Sequence, residues 1–232
     1  MLTLILVVAV VSAALIVGAV WGLYGPLPTK VEGFMVALAG GALIVSVMLE
    51  LIQPASDHLP LWLLSLSVAT GAIAFTTADT VLEKKTEGSE GKGLLLAITF
   101  DGVPENLALG VALIGAGPME VAALAGSILL SNLPEAAGGA QQMASNGMSK
   151  RRTLVLWTAT AGLLAAAAVI GNLALQGVGQ GPLAAIRAFA AGAVTASLAT
   201  EVFPQAYKED HKTTGIAVAI GLLTAFALTQ LA

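Results

Sequence analysis

The sequence predicts an all-α integral membrane protein: eight transmembrane helices in a 3+2+3 inverted-repeat arrangement, with both termini extracytoplasmic. Three observations carry this. First, 57% of the 232 residues are apolar and only 10% are charged, against roughly 25% charged in soluble domains; mean hydropathy is +0.90. Second, the apolar stretches are each near the ~20 residues that span a hydrocarbon core, and they are separated by short polar, Gly- and Pro-rich joints. Third, the basic residues fall almost wholly on one side of the resulting topology.

The helices run over about 1–24, 31–53, 60–82, 93–115, 119–142, 153–176, 182–206 and 214–232, as a single transmembrane domain. The first begins without a basic leader region and is too long for a signal-peptide core, so it reads as a retained span. Strands are implausible, because Leu- and Ala-rich runs of this length satisfy their backbone in lipid only as helices. Lys30, Lys84, Lys85, Lys92, Lys150, Arg151, Arg152, Lys208 and Lys212 all lie in or beside odd-numbered joints, and only Arg187 departs from this pattern. Cytoplasmic loops collect Lys and Arg, which sets the orientation. The net charge of −4 and the absence of a basic stripe exclude a nucleic-acid partner, and the absence of cysteine excludes disulfides and thiolate metal sites.

Glu50, Asp79, Asp101, Glu105, Glu135 and Glu201 lie inside these helices, where a charge near the midplane costs at least ~2.5–3.5 kcal/mol. Asp101 and Glu105 are near the middle of helix four and share one face at i, i+4. Asn132 and Glu135 are near the middle of helix five and share one face at i, i+3. Two carboxylates one turn apart in low dielectric repel one another. A divalent cation removes that penalty, and carboxylate and amide oxygens suit it as ligands. Pro104 and Pro134 precede the two glutamates, and a proline inside a helix frees a backbone carbonyl upstream, a feature of ion sites at membrane depth. The same residues also fit a hydrogen-bonded knot that specifies helix pairing, or a proton relay without metal. Glu50, Asp79 and Glu201 are nearer the helix ends and fit interfacial anchoring or a vestibule. His58 and His211 lie in loops and read as solvated.

A weak internal symmetry accompanies this. Gly41 to Glu50 in helix two has the spacing of Gly192 to Glu201 in helix seven, and each glutamate is soon followed by proline (Pro54, Pro204). With the two x-Pro-Glu segments 30 residues apart on consecutive helices, helices one to three and six to eight read as inverted repeats around a central pair.

At these residues the chain resembles the ZIP (Zrt/Irt-like) family of divalent metal transporters, in its compact prokaryotic form. The family's helix-four motif, approximately His-Asn-x-Pro-Glu-Gly, aligns with Asp101-Gly102-Val103-Pro104-Glu105-Asn106. Its helix-five motif, approximately His/Gln-Asn/Asp-x-Pro-Glu, aligns with Ser131-Asn132-Leu133-Pro134-Glu135. The family's Glu-x-x-Pro in helix seven looks like Glu201-Val202-Phe203-Pro204. The resemblance implies transport of zinc or a similar cation into the cytoplasm, and a homodimer in the cell membrane. It implies Asp101, Glu105, Asn132 and Glu135 as metal ligands, with Asn106 and Ser131 as further oxygens. Glu50 would serve an outer vestibule, and Asp79, Gln141, Gln142 and Glu201 the inner exit.

The departures are specific. Asp101 stands for the family histidine, Gly102 for the asparagine, Asn106 for the glycine, and Ser131 for the His/Gln. The oxygen-only set that results opens the site to harder ions such as manganese or iron(II), as well as cadmium. No catalytic cofactor is expected, since the metal is cargo. No nucleophile–base pair is visible, so an enzyme is not expected. A proton-coupled carrier of another solute and a non-transporting metal sensor remain as alternatives.

Overall fold

The computed structural model describes residues 2–25, 27–86, 92–116 and 121–231, with backbone alone at 83, 85, 86, 92–98, 100, 101 and 231. Among the described residues, the regular structure is helical throughout, without strands. We name the helices α1 (Leu2–Tyr24), α2 (Thr29–Ser56), α3 (Leu61–Thr86), α4 (Lys92–Ala112), α5 (Ala122–Ser145), α6 (Lys150–Leu175), α7 (Gln180–Glu209) and α8 (Thr214–Leu231). Among the described residues, five of them contain stretches long and apolar enough to cross a membrane: α1, α2, α3 (over Leu61–Leu82), α6 and α7. The helix ends obey local chemistry. Gly115, Gly147 and Gly177 follow α4, α5 and α6 with φ of 79°, 87° and 82°, the left-handed conformation that closes a helix cheaply only at glycine. Ser149 caps α6, its hydroxyl accepting the Arg152 N–H at 3.4 Å.

Large apolar side chains face outward in number: Leu2, Ile5, Leu61, Trp62, Ile73, Ile170, Ile216 and Leu223 are all more than half exposed. A soluble protein rarely presents so much contiguous apolar surface, and the outward belt is compatible with a lipid environment. The interior is built instead from small residues, among them Ala19, Ala37, Ala137, Ala168 and Ala191, which bring helix axes close.

The helix pairings repeat. α1 packs on α5 as α6 packs on α4, α2 packs on α8 as α7 packs on α3, and α2 meets α5 as α7 meets α4. Glycines mark corresponding crossings. At Gly41 an added Cβ would overlap the Val218 carbonyl oxygen of α8, and at Gly192 it would overlap the Val68 carbonyl oxygen of α3. The partner helices reciprocate, Gly221 against Leu38 and Gly71 against Phe189.

Two helices are longer than their sequences suggest. Pro54 reads from sequence as part of the joint after helix two but lies inside α2, and α7, read from sequence through Pro204 to 206, continues to Glu209. The reason is local: each proline is preceded by one π-helical turn, Val47–Ile52 in α2 and Leu198–Val202 in α7. The wider turn accommodates the N–H that proline lacks, so the chain continues rather than stopping. Glu50 and Glu201 sit within these two turns, and isolated π turns occur frequently at functional sites.

Candidate functional site

The central helices α4 and α5 both carry an internal proline, Pro104 and Pro134. Around these prolines Glu105, Asn106, Ser131 and Asn132 are all buried. Such burial costs free energy unless polar atoms find partners, and the donors do. Asn106 Nδ2 donates to the Gly102 carbonyl at 2.8 Å, Asn132 Nδ2 to the Val11 carbonyl of α1 at 3.4 Å, and Ser131 Oγ to the Ile128 carbonyl at 3.1 Å. Ser131 thereby has its single donor engaged and each amide has one of its two N–H donors engaged, and all three side chains carry an oxygen able to ligate a cation.

Polar contacts also fix the two helices in place. Thr99 and Thr160 hydroxyls meet at 3.3 Å between α4 and α6, and Asn172 Nδ2 of α6 donates to the Gly110 carbonyl at 2.9 Å. On the other side Ser46 of α2 meets Ser127 of α5 at 3.3 Å.

The structure separates the expected site residues into groups. Glu105, Asn106, Ser131 and Asn132 form the buried set. Glu135 is instead half-buried on the wall of a cavity of about 330 Å3, which Gln141, Gln142, Glu32, Gln205 and Glu209 also line. Glu201 is half-buried in the π turn of α7, and Asp79 is buried on α3; neither lines that cavity. The Asp101 side chain lies outside the described residues. Among the described residues, no three His, Asp or Glu side chains form a group that could hold a metal.

A second cavity, of about 380 Å3, lies where α4 ends and α5 begins, and is lined by Glu50, Arg187, Ile114 and Val121. α5 therefore runs from one cavity at its start to the other along its last turns. Sequence reasoning assigns no role to Glu32, Gln205 or Glu209. A carboxylate in the first turn of a helix, as Glu32 is in α2, reads as a partner for the helix dipole. The available signal was that Glu32 lies inside an apolar span without a basic residue one turn further on. In the sequence Arg187 stands only as the exception to the charge pattern, and its place on a cavity wall with Glu50 accounts for that exception.

No protein-family model matches the chain, and no curated protein sequence matches it. The fold and site on their own define an all-helical bundle, compatible with a membrane, with a buried carboxylate and amides at two proline-bearing central helices.

Proposed function

We propose that the chain is a divalent-cation transporter of ZIP type that spans the membrane with eight helices and carries its ion into the cytoplasm. The observation that carries this reading is the burial of Glu105, Asn106, Ser131 and Asn132 beside Pro104 and Pro134. An ionisable residue in such a place is a functional-site hypothesis by default. Asp101, Glu105, Asn132 and Glu135 are the proposed principal ligands, with Asn106 and Ser131 adding oxygens. The set holds neither imidazole nor thiolate, so manganese and iron(II) are candidates beside zinc and cadmium.

The repeated helix pairings support an inverted repeat of α1–α3 and α6–α8 around α4 and α5, the architecture in which a midplane site is exposed to each side in turn. The Glu135 cavity then opens to the cytoplasm, with Gln141 and Gln142 in its wall, and Glu201 and Asp79 belong to the exit half without lining it. The cavity at Glu50 opens outside. The protein works as a membrane homodimer in this reading.

Uptake of zinc, manganese, iron and cadmium into proteoliposomes tests the proposal. Saturable entry of at least one ion is expected, lost in Glu105→Ala and Glu135→Ala. If no divalent ion enters, the reading fails; if both variants transport normally, the site assignment fails.

A further inference from the structure

The Arg187 cavity is built differently from the Glu135 cavity. Glu50 is only 8% exposed. Its Oε1 accepts the Leu124 N–H at 2.9 Å, which fixes the carboxylate against the first turn of α5. Its Oε2 is buried and has no hydrogen-bond partner. Arg187 lines the same cavity. Its Nη2 donates to the Ile114 carbonyl at 3.4 Å, and its Nε is likewise buried without a partner. Among the described residues, no ion pair joins Arg187 to Glu50 or to any other carboxylate. The rest of the wall is largely apolar, including Leu49, Pro54 and Val121.

A buried carboxylate oxygen and a buried guanidinium N–H each require a partner. A bare metal ion on Glu50 would face the guanidinium charge. A bare oxyanion on Arg187 would face the carboxylate. One class of ligand satisfies both: a small molecule carrying a positive and a negative group a few bonds apart. The volume of about 380 Å3 falls in the range of small-ligand sites, ~300–1,000 Å3, and the apolar wall suits a short aliphatic body. We infer that this cavity is a binding site for an amino-acid-like zwitterion, its ammonium on the Glu50 carboxylate and its carboxylate on the Arg187 guanidinium, both of which line the cavity. Guanidinium suits a carboxylate in geometry and charge. The inference uses neither Glu105 nor Glu135 and shares only Glu50 with the proposed ion path, so zwitterion binding can be read separately from metal uptake.

The test is a melting-temperature screen of the full-length protein in lipid nanodiscs. The probes are the common amino acids and glycine betaine, with acetate and methylammonium as the separate halves and Mn2+ alone. At least one zwitterion is expected to raise the melting temperature by several degrees, while neither half does so. Glu50→Gln and Arg187→Gln should each weaken that ligand by at least roughly tenfold. The amide introduced by Glu50→Gln retains an oxygen for the Leu124 N–H, so the α5 contact survives. If Glu50→Gln nevertheless fails to fold, Arg187→Gln and Arg187→Lys carry the test. The inference is overturned if no zwitterion shifts the melting temperature, if the shift persists in the variants that fold, or if Mn2+ alone gives a shift that Glu50→Gln removes.

Discussion

The carboxylate of Glu32, on α2, rests directly on Gly138 of α5, so that a Cβ at position 138 would overlap it. Two helices far apart in sequence thereby bring a second acidic group to the cavity that Glu135 lines. In Gly138→Ala the obstacle is the far end of a flexible side chain, and alanine in a helix interior is favoured over glycine by roughly 0.5–1 kcal/mol. The variant should melt no lower than the parent, yet lose uptake several-fold because Glu32 is turned out of the cavity. Equal uptake and equal melting would show that the position of Glu32 does not matter to passage.

Gly41 and Gly192 should behave in the opposite way. Each faces a backbone carbonyl of the partner helix, Val218 in one case and Val68 in the other, and neither can move aside without shifting that helix. Alanine at either position should destabilise by about 1–3 kcal/mol. The crossings lie in separate helix pairs, so the double variant should show close to the summed loss. Denaturation in detergent micelles reads both, and an unchanged midpoint in the single variants would contradict the close approach.

Within the central helices the ranking of variants follows burial and position. Glu105→Gln and Glu135→Gln should each lower initial uptake at least about tenfold, or roughly 1.4 kcal/mol in transport free energy. Asp79→Asn, on α3 and not lining the Glu135 cavity, should change uptake less than twofold, a bound of about 0.4 kcal/mol. Radiotracer flux with matched protein incorporation makes the comparison. A larger effect at Asp79 than at Glu105 would invert the proposed path.

The turn between α7 and α8 carries an acid dependence of its own. The Thr213 hydroxyl donates to Asp210 Oδ2 and, with the Lys212 N–H and the charges of Lys30 and His211, holds the carboxyl below its usual range against a smaller opposing effect of burial. A carboxyl depressed in the folded state stabilises it above the unfolded value, near pH ~3.9, and that stabilisation is lost as pH falls through the lower folded value. Melting temperature should therefore fall in acid below about pH 4 more steeply in the parent than in Asp210→Asn. Parallel curves for the two proteins would remove Asp210 from the account.

Helical class and the apolar spans were legible because an unbroken Leu- and Ala-rich run has few alternatives to a helix. The end of α2 was not, since Pro54 ordinarily signals a stop and only the preceding π turn lets the chain run on, whereas helix seven was read through Pro204 to 206 and the fold carries it on to Glu209. Glu105 and Glu135 look equivalent in sequence, each following a proline. Periodicity gives the face of a helix but not what lies opposite it, and the fold buries Glu105 while placing Glu135 on a cavity wall. Glu209 and Arg187 were beyond sequence reasoning for a similar reason, as their roles arise only where helices converge, and Glu32 showed only as an acid inside an apolar span.

The two π turns have a further consequence for how the chain tolerates length change. One residue of an α-helix subtends about 100° of rotation, but the wide turns Val47–Ile52 and Leu198–Val202 each take up one residue more than an α turn for about the same rotation. Removing one residue from either stretch would restore an ordinary α turn and leave Pro54 or Pro204, and the segment beyond, facing nearly the same neighbours. Each turn is thus a point where a single-codon deletion is absorbed, whereas the same deletion in an adjoining α-helical turn swings everything after it by about 100°.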